Sequence, residues 1–190
     1  MRCPICGVAA AKFLDYNGRK RSRCPQCRSL ERHRAVFKVF GELKLFARFK
    51  PRTALLLVSM DPPYYEKLKR YFAVTVLTKE KDQKDTVYGD ICKPPFKAGR
   101  FAIVVQVHTM EHVEDDCKAT REIYQLMQPG GIYISNVPCG GSKTVEFGAA
   151  DPAQHGHWRL YGTDDYLQLL RQCGFALVSR VGTTFIATKG

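Results

Sequence analysis

The sequence predicts an α/β fold built on a mostly parallel sheet, preceded by a small cysteine-bound segment, and three observations carry that expectation. Residues 101–131, FAIVVQVHTMEHVEDDCKATREIYQLMQPGG, place an apolar run, a polar loop, an amphipathic stretch and a Pro-Gly-Gly stop in immediate succession. A short apolar, β-branched run without alternation is the pattern of a strand covered on both faces. Cys3-Pro-Ile-Cys6 and Cys24-Pro-Gln-Cys27 form C-x2-C-x17-C-x2-C near the N-terminus. At the other end, one helical stretch and two closing strands supply the antiparallel edge that completes such a sheet.

Length and charge bound the reading further. The chain has 190 residues, 45% hydrophobic and 25% charged, which suits one globular domain of ordinary core size with a small appendage. No apolar run approaches the length that spans a bilayer, so no membrane partner is expected. Met1-Arg2-Cys3-Pro4 lacks the hydrophobic stretch of a signal peptide, and a cytoplasmic location is the default expectation. The net charge of +12 is uneven: residues 1–50 hold 13 Lys and Arg against 3 Asp and Glu. That N-terminal surplus favours a polyanion, nucleic acid first, while a merely solvated surface explains the charge equally well.

Taken in order, the cysteine pairs come first. Cys3, Cys6, Cys24 and Cys27 have the spacing of a structural zinc ribbon, in which four thiolates hold one tetrahedral ion and replace a core too small to fold alone. Disulfides or a redox pair are the weaker readings, because the other four cysteines are scattered singly and no secretory signal accompanies them. Between the pairs, Asn17-Gly18 signals a hairpin turn, with Arg19, Lys20, Arg21 and Arg23 behind it and Phe13 and Tyr16 nearby. Ser29 is then expected to cap one helix running to about Phe49, with Val36, Phe37, Phe40, Leu43 and Phe46 or Ala47 on its apolar side. Arg28, Arg32, Arg34 and Lys38 extend the basic patch. The expected organisation is a zinc ribbon over 1–28, a basic linking helix over 29–50 and an α/β domain over 51–190.

From Thr53 the pattern becomes strand, turn, helix, strand. Ala54–Val58 reads as a buried strand, Ser59-Met60-Asp61-Pro62-Pro63 as the turn, Tyr64–Phe72 as a short helix and Val74–Leu77 as the next strand. Thr78-Lys79-Glu80 puts an acid where doubly wound folds hold the ribose hydroxyls of a nucleotide. Thr86–Tyr88 is a third short strand, followed by Gly89-Asp90-Ile91 and a proline-rich loop. The strand Ala102–Val107 then ends at His108, Glu111, His112, Glu114, Asp115 and Asp116, where an open α/β sheet places its ligand crevice. Asp115 and Asp116 suit the start of the following helix, and Pro129-Gly130-Gly131 is expected to stop it before the strand Ile132–Val137.

Residues 137–162 read as a long connection, and they concentrate two His, one Arg and the only Trp in Gln154-His155-Gly156-His157-Trp158-Arg159-Leu160-Tyr161. His155 and His157 admit three readings: groups of a substrate-binding lid, part of a metal site with Cys139 or another ligand, or packing around Trp158 and Tyr161. A lid is favoured, because long connections in compact domains tend to be functional. Arg159 is a candidate for an anionic substrate group, against the default of a surface ion pair. Thr163 is expected to cap a helix over 164–173, and Gly174 to end it before strands at 175–180 and 183–188.

Gly89-Asp90-Ile91 with Pro94-Pro95-Phe96, Phe101–Val105, Glu111-His112-Val113 and Gln128-Pro129-Gly130-Gly131 resemble the ordered motifs of class I S-adenosylmethionine-dependent methyltransferases of the type 11-like group. The resemblance covers most of residues 53–190. It implies a Rossmann-like sheet and S-adenosylmethionine as cofactor, with Glu80 on the ribose, Asp90 and Ile91 beside the adenine, and Ser59, Asp61 and Val107 bordering the rest. The loop from His108 to His112 would line the reaction centre. His108 is the first choice for managing the acceptor's proton, His155 and His157 are further candidates, and His112 is read as a loop anchor. The turn at Ser59–Pro63 departs from the family pattern, since it holds two prolines and no glycine. Methylation of RNA held on the basic zinc segment is the leading expectation, with a small-molecule or saccharide acceptor, or a non-catalytic adaptor, as the rivals.

Overall fold

The computed structural model describes residues 2–9, 12–59 and 62–190. It divides into two compact units, one of residues 1–53 with 61–74 and one of residues 54–60 with 75–190. Asp61, expected at the cofactor, lies outside the described residues.

In the first unit, β1 (Leu14–Tyr16) and β2 (Arg19–Arg23) pair antiparallel across Asn17 and Gly18, whose φ of 46° and 73° are what a two-residue hairpin turn demands. The cysteine pairs repeat one local design. Gly7 N–H donates to Cys3 O and Arg28 N–H to Cys24 O, while Cys3 N–H bonds Val8 O and Cys24 N–H bonds Ser29 O. Gly7 and Arg28, each just past a pair, are both left-handed.

The single helix expected from Ser29 to Phe49 is instead two. α1 (Glu31–Glu42) has Leu30 as its N-cap, with Leu30 N–H donating to His33 Nδ1, and α2 is Leu45–Arg48. Between them Lys44 turns left-handed at φ 51°. Packing explains the break. In a continuous helix Phe46 would lie roughly 13 Å along the axis from Phe37. Folded back, its ring sits 5.6 Å from Phe37, 5.5 Å from Phe40 and 4.7 Å from Tyr71. α3 (Pro62–Leu68) starts with the two prolines in its first turn, where a missing N–H costs nothing. Phe72 beyond it meets Phe40 and Phe46 in the same cluster.

The second unit carries a seven-stranded sheet. Its strands are β3 (Ala54–Val58), β4 (Ala73–Thr78), β5 (Val87–Tyr88), β6 (Phe101–Val107), β7 (Met127–Asn136), β10 (Phe175–Val181) and β11 (Thr184–Lys189), with the hairpin β8 (Val145–Asp151) and β9 (His157–Leu160) apart from them. The order is β10-β11-β7-β6-β3-β4-β5. Pairs β3–β6, β6–β7 and β4–β5 are parallel; β11 runs antiparallel between β7 and β10. All seven residues of β6 are buried, as its unbroken apolar run requires.

Helix α4 (Asp116–Leu126) follows the expected signals, since the Asp115 side chain accepts the Lys118 N–H at its start. Pro129-Gly130-Gly131 does not stop it, because α4 already ends at Leu126 and β7 begins at Met127. The register of β6 and β7 shifts between Phe101 and Ile103 opposite these residues, and Gly130 takes φ 71°, so they form a strand-entry irregularity. α5 (Thr163–Gln172) is capped by Gly162, not Thr163. A Cβ at Gly162 would lie 2.2 Å from Ser142 O, so close chain packing selects glycine there.

The connection expected as a lid is a β-hairpin whose register shifts between Glu146 and Asp151. β8 and β9 pair Val145 with Leu160, Glu146 with Arg159 and Asp151 with His157. Its tip is a single 3-10 turn, Pro152–Gln154, started by Asp151 accepting the Ala153 N–H.

Candidate functional site

At the C-terminal ends of β3, β4 and β6 lies an open cavity of about 290 Å³. Val58, Leu77, Ile91 and Val113 form its apolar walls; Ser59, Thr78, Glu80, His108, Thr109 and His112 supply polar groups. This is the edge at which doubly wound sheets bind ligands, because the helices and loops diverge there. Ser59 and His108, the first residues past β3 and β6, are non-glycines held left-handed at φ 70° and 51°. Such strain marks ligand-binding turns. Gly89 is needed for its size: a Cβ would meet Pro95 Cδ at 2.9 Å and Leu77 Cδ1 at 3.0 Å, pushing Leu77 on the cavity wall.

The residues expected at the cofactor divide. Ser59, Glu80 and Ile91 line the cavity, and Val107 is buried outside its lining. Asp90 is not in the wall. Its carboxylate is 2.8 Å from Lys79 Nζ and accepts the Cys92 N–H, and these partners, acting against partial burial, hold it below the usual carboxylate value. The apolar slot between Leu77, Ile91 and Val113, with the Glu80 carboxylate at its rim, has the side chains that would hold an adenosine group.

His108 lines the cavity with Nδ1 3.2 Å from Oε1 of Glu111. Glu111 is fully buried on a 3-10 turn, Met110–His112, and neither carboxylate oxygen accepts an aligned hydrogen bond. The hairpin delivers His157 to this turn. Its ring stands edge-on to His112 at 4.7 Å, and ligand atoms of Glu111, His112 and His157 lie within 4.8 Å of one another. Burial, with the neighbouring His112, outweighs the pull of Glu111 and lowers the basicity of His157. His155 is exposed at the hairpin tip, 6.2 Å from His157, and neither lines the cavity. The sequence placed Glu111 and His112 at the right strand end, but their meeting with His157 depends on a tertiary contact that spacing does not carry.

Arg159 is neither a surface ion pair nor exposed to a ligand. It is 6% exposed, and its guanidinium donates to both Glu146 oxygens, to Val113 O at 2.5 Å and to Glu114 O at 2.7 Å. Tyr161 OH adds a bond to Asp116 Oδ2 at 2.7 Å. These contacts pin β9 to the turn that bears Glu111 and His112.

The four N-terminal thiols form a second centre. Cys3 and Cys27 sulfurs are 3.7 Å apart, Cys6 and Cys24 3.8 Å, and all eight cysteines are free of disulfides. A tetrahedron of 2.3 Å Zn–S bonds has edges of about 3.8 Å, so the set fits zinc. Ser29, expected as a helix cap, turns its hydroxyl to Cys27 Sγ at 3.1 Å instead. Burial and crowded neighbouring sulfurs push the Cys27 thiol up to about 12, a penalty a divalent cation relieves. Of the basic residues, Arg34 is engaged internally, donating to Ser29 O and Ser22 O above the Phe13 ring. It therefore does not extend the basic patch.

A family model described as a methyltransferase domain matches residues 67–135, from α3 to the end of β7. Over those residues the chain is similar to methyltransferase domains, and its sheet has the strand order of a class I methyltransferase. It is 24% identical over 98 residues to a Mycolicibacterium smegmatis protein named "Probable S-adenosylmethionine-dependent methyltransferase". That match spans 52% of this chain and 37% of the relative. Among solved structures, the Burkholderia thailandensis 1,6-didemethyltoxoflavin-N1-methyltransferase superposes with a TM-score of 0.62 at 16% identity, covering 82% of this chain and 76% of that one. The [4+2]-cyclase SpnF superposes at 0.60 and 16% identity over 93% of this chain and 66% of its own.

Proposed function

We propose that this chain transfers a methyl group from S-adenosylmethionine to an acceptor bound at the end of β6. The observation that carries the reading is the cavity at the ends of β3, β4 and β6, with an aliphatic slot, Glu80 at its rim and His108 at the strand end. The sulfonium donor supplies the reactivity when bound. Glu80 receives ribose hydroxyl donors, Leu77 and Ile91 hold the ring dry, and His108 stands where an acceptor's proton is handled. Calorimetric titration of zinc-loaded protein with S-adenosylmethionine and S-adenosylhomocysteine tests this. Micromolar binding that weakens in Glu80→Ala supports it; no binding at millimolar ligand refutes it and favours the non-catalytic adaptor.

RNA is the acceptor class we favour over a small molecule or saccharide. Arg19, Lys20, Arg21, Arg28 and Lys38 are exposed in the unit that holds the thiols, and such a surface binds phosphates in a salt-sensitive way. Changing Arg19, Lys20, Arg21 and Arg28 together to Ser should abolish RNA retention at low salt. Unchanged retention would turn the search to small acceptors.

A further inference from the structure

We infer that Glu111, His112 and His157 form a second metal site, for a divalent first-row transition cation, at the wall of the cofactor cavity. A fully buried carboxylate whose oxygens accept no aligned hydrogen bond is expensive unless a cation faces it. Besides His108, two imidazoles face it from two different elements: His112 on the same 3-10 turn and His157 on β9. Their ligand atoms and the carboxylate oxygen lie within 4.8 Å of one another, close enough for one ion to bind all three.

The support around the ligands is that of a metal centre. His112 Nδ1 lies 3.3 Å from Gly156 O, and an Nδ1–H donated there leaves Nε2 as the ligand nitrogen. His108 Nδ1, 3.2 Å from Glu111 Oε1, braces the carboxylate from the cavity side. Arg159 ties β9 to Val113 and Glu114, and thereby holds His157 against the turn. Two nitrogens and one carboxylate suit Zn²⁺, Mn²⁺, Co²⁺ or Fe²⁺ and leave coordination positions open, unlike the closed four-thiolate set. His112 borders the cavity, so those positions take an oxygen of the methyl acceptor. Only this last role rests on the methyl-transfer reading; the cation site itself does not.

Metal content of the full chain decides it. Protein dialysed against Zn²⁺ or Co²⁺ should retain two equivalents, one held by the thiols. Glu111→Gln and His157→Gln should each retain one, and Cys24→Ser should lose the other. In the Co²⁺ form the equivalent lost in Glu111→Gln should carry no thiolate charge-transfer absorption, while the one that remains should. One equivalent in the wild type, or two in Glu111→Gln, overturns the site. If a variant fails to fold, diethyl pyrocarbonate labelling of the wild type replaces it: Mn²⁺ should protect His112 and His157 but not His155. Equal labelling with and without Mn²⁺ overturns the site as well. Loss of S-adenosylmethionine binding with both equivalents retained would refute the proposed activity and leave the site standing.

Discussion

Replacing Arg159 by Met tests whether the hairpin is a structural arm of the site. The side chain is 6% exposed and donates to two backbone carbonyls, Val113 O at 2.5 Å and Glu114 O at 2.7 Å. Its pair with Glu146 matters less, because that carboxylate is 59% exposed and such pairs contribute about 0.2–1 kcal/mol. The two charge-assisted bonds are worth about 1.5–3 kcal/mol each, and they are not independent. Asp116 keeps its bond from Tyr161, so it is not stranded. We therefore expect Arg159→Met to destabilise the sheet-bearing unit by about 3–5 kcal/mol. That is a drop in midpoint on the order of 10 °C. Urea unfolding followed by the fluorescence of Trp158, the neighbouring residue, reads it directly. Glu146→Gln should cost under about 1 kcal/mol in the same assay. Equal, small losses in both variants would refute the clamp and make Arg159 an ordinary ion-pair partner.

Chelation should selectively unfold the N-terminal unit. Zinc release titrated with a thiol reagent should track loss of protease resistance within residues 1–53, because four thiols stand where a larger core would be. Gly89→Val should weaken S-adenosylhomocysteine binding at least ~10-fold by calorimetry, since its Cβ already meets Leu77 and Pro95 at 3.0 Å or less. Ser59→Gly should stabilise the protein by up to ~1 kcal/mol in denaturant unfolding, by relieving a left-handed non-glycine at φ 70°. The Asp90–Lys79 pair sets a pH dependence. Asp90's folded value lies below its unfolded value of about 3.9, so its contribution is complete above that value and is lost as pH falls through the lower, folded one. Urea midpoints of wild type and Asp90→Asn should differ at pH 6 and converge in strong acid.

What the sequence disclosed and what it hid follow from the range of the forces involved. The order of strands and helices, the thiol set and the crowded end of β6 rest on local patterning: an unbroken apolar run, paired C-x2-C turns, acids at a helix start. Lys44 breaks a helix that periodicity would continue, because Phe46 gains its four ring contacts by folding back. Residues 145–160 lack the alternation of a half-buried strand, since β8 has no fully buried residue on either face. Their pairing is set by Arg159 reaching carbonyls more than forty positions away. For that reason His157 reads in the sequence as half of an incomplete motif, and only the contact with His112 gives it partners. Glu111 was visible in the sequence as one acid among several; its burial without an aligned hydrogen bond is what sets it apart from Glu114 and Asp115. A carboxylate is driven into such a position only by a tertiary framework that compensates it. Here the compensation comes from His108 at the end of β6, from His112 on the same turn and from His157 on the hairpin, so the stability of the hairpin and the chemistry of the site are one problem, and Arg159 is where both can be perturbed.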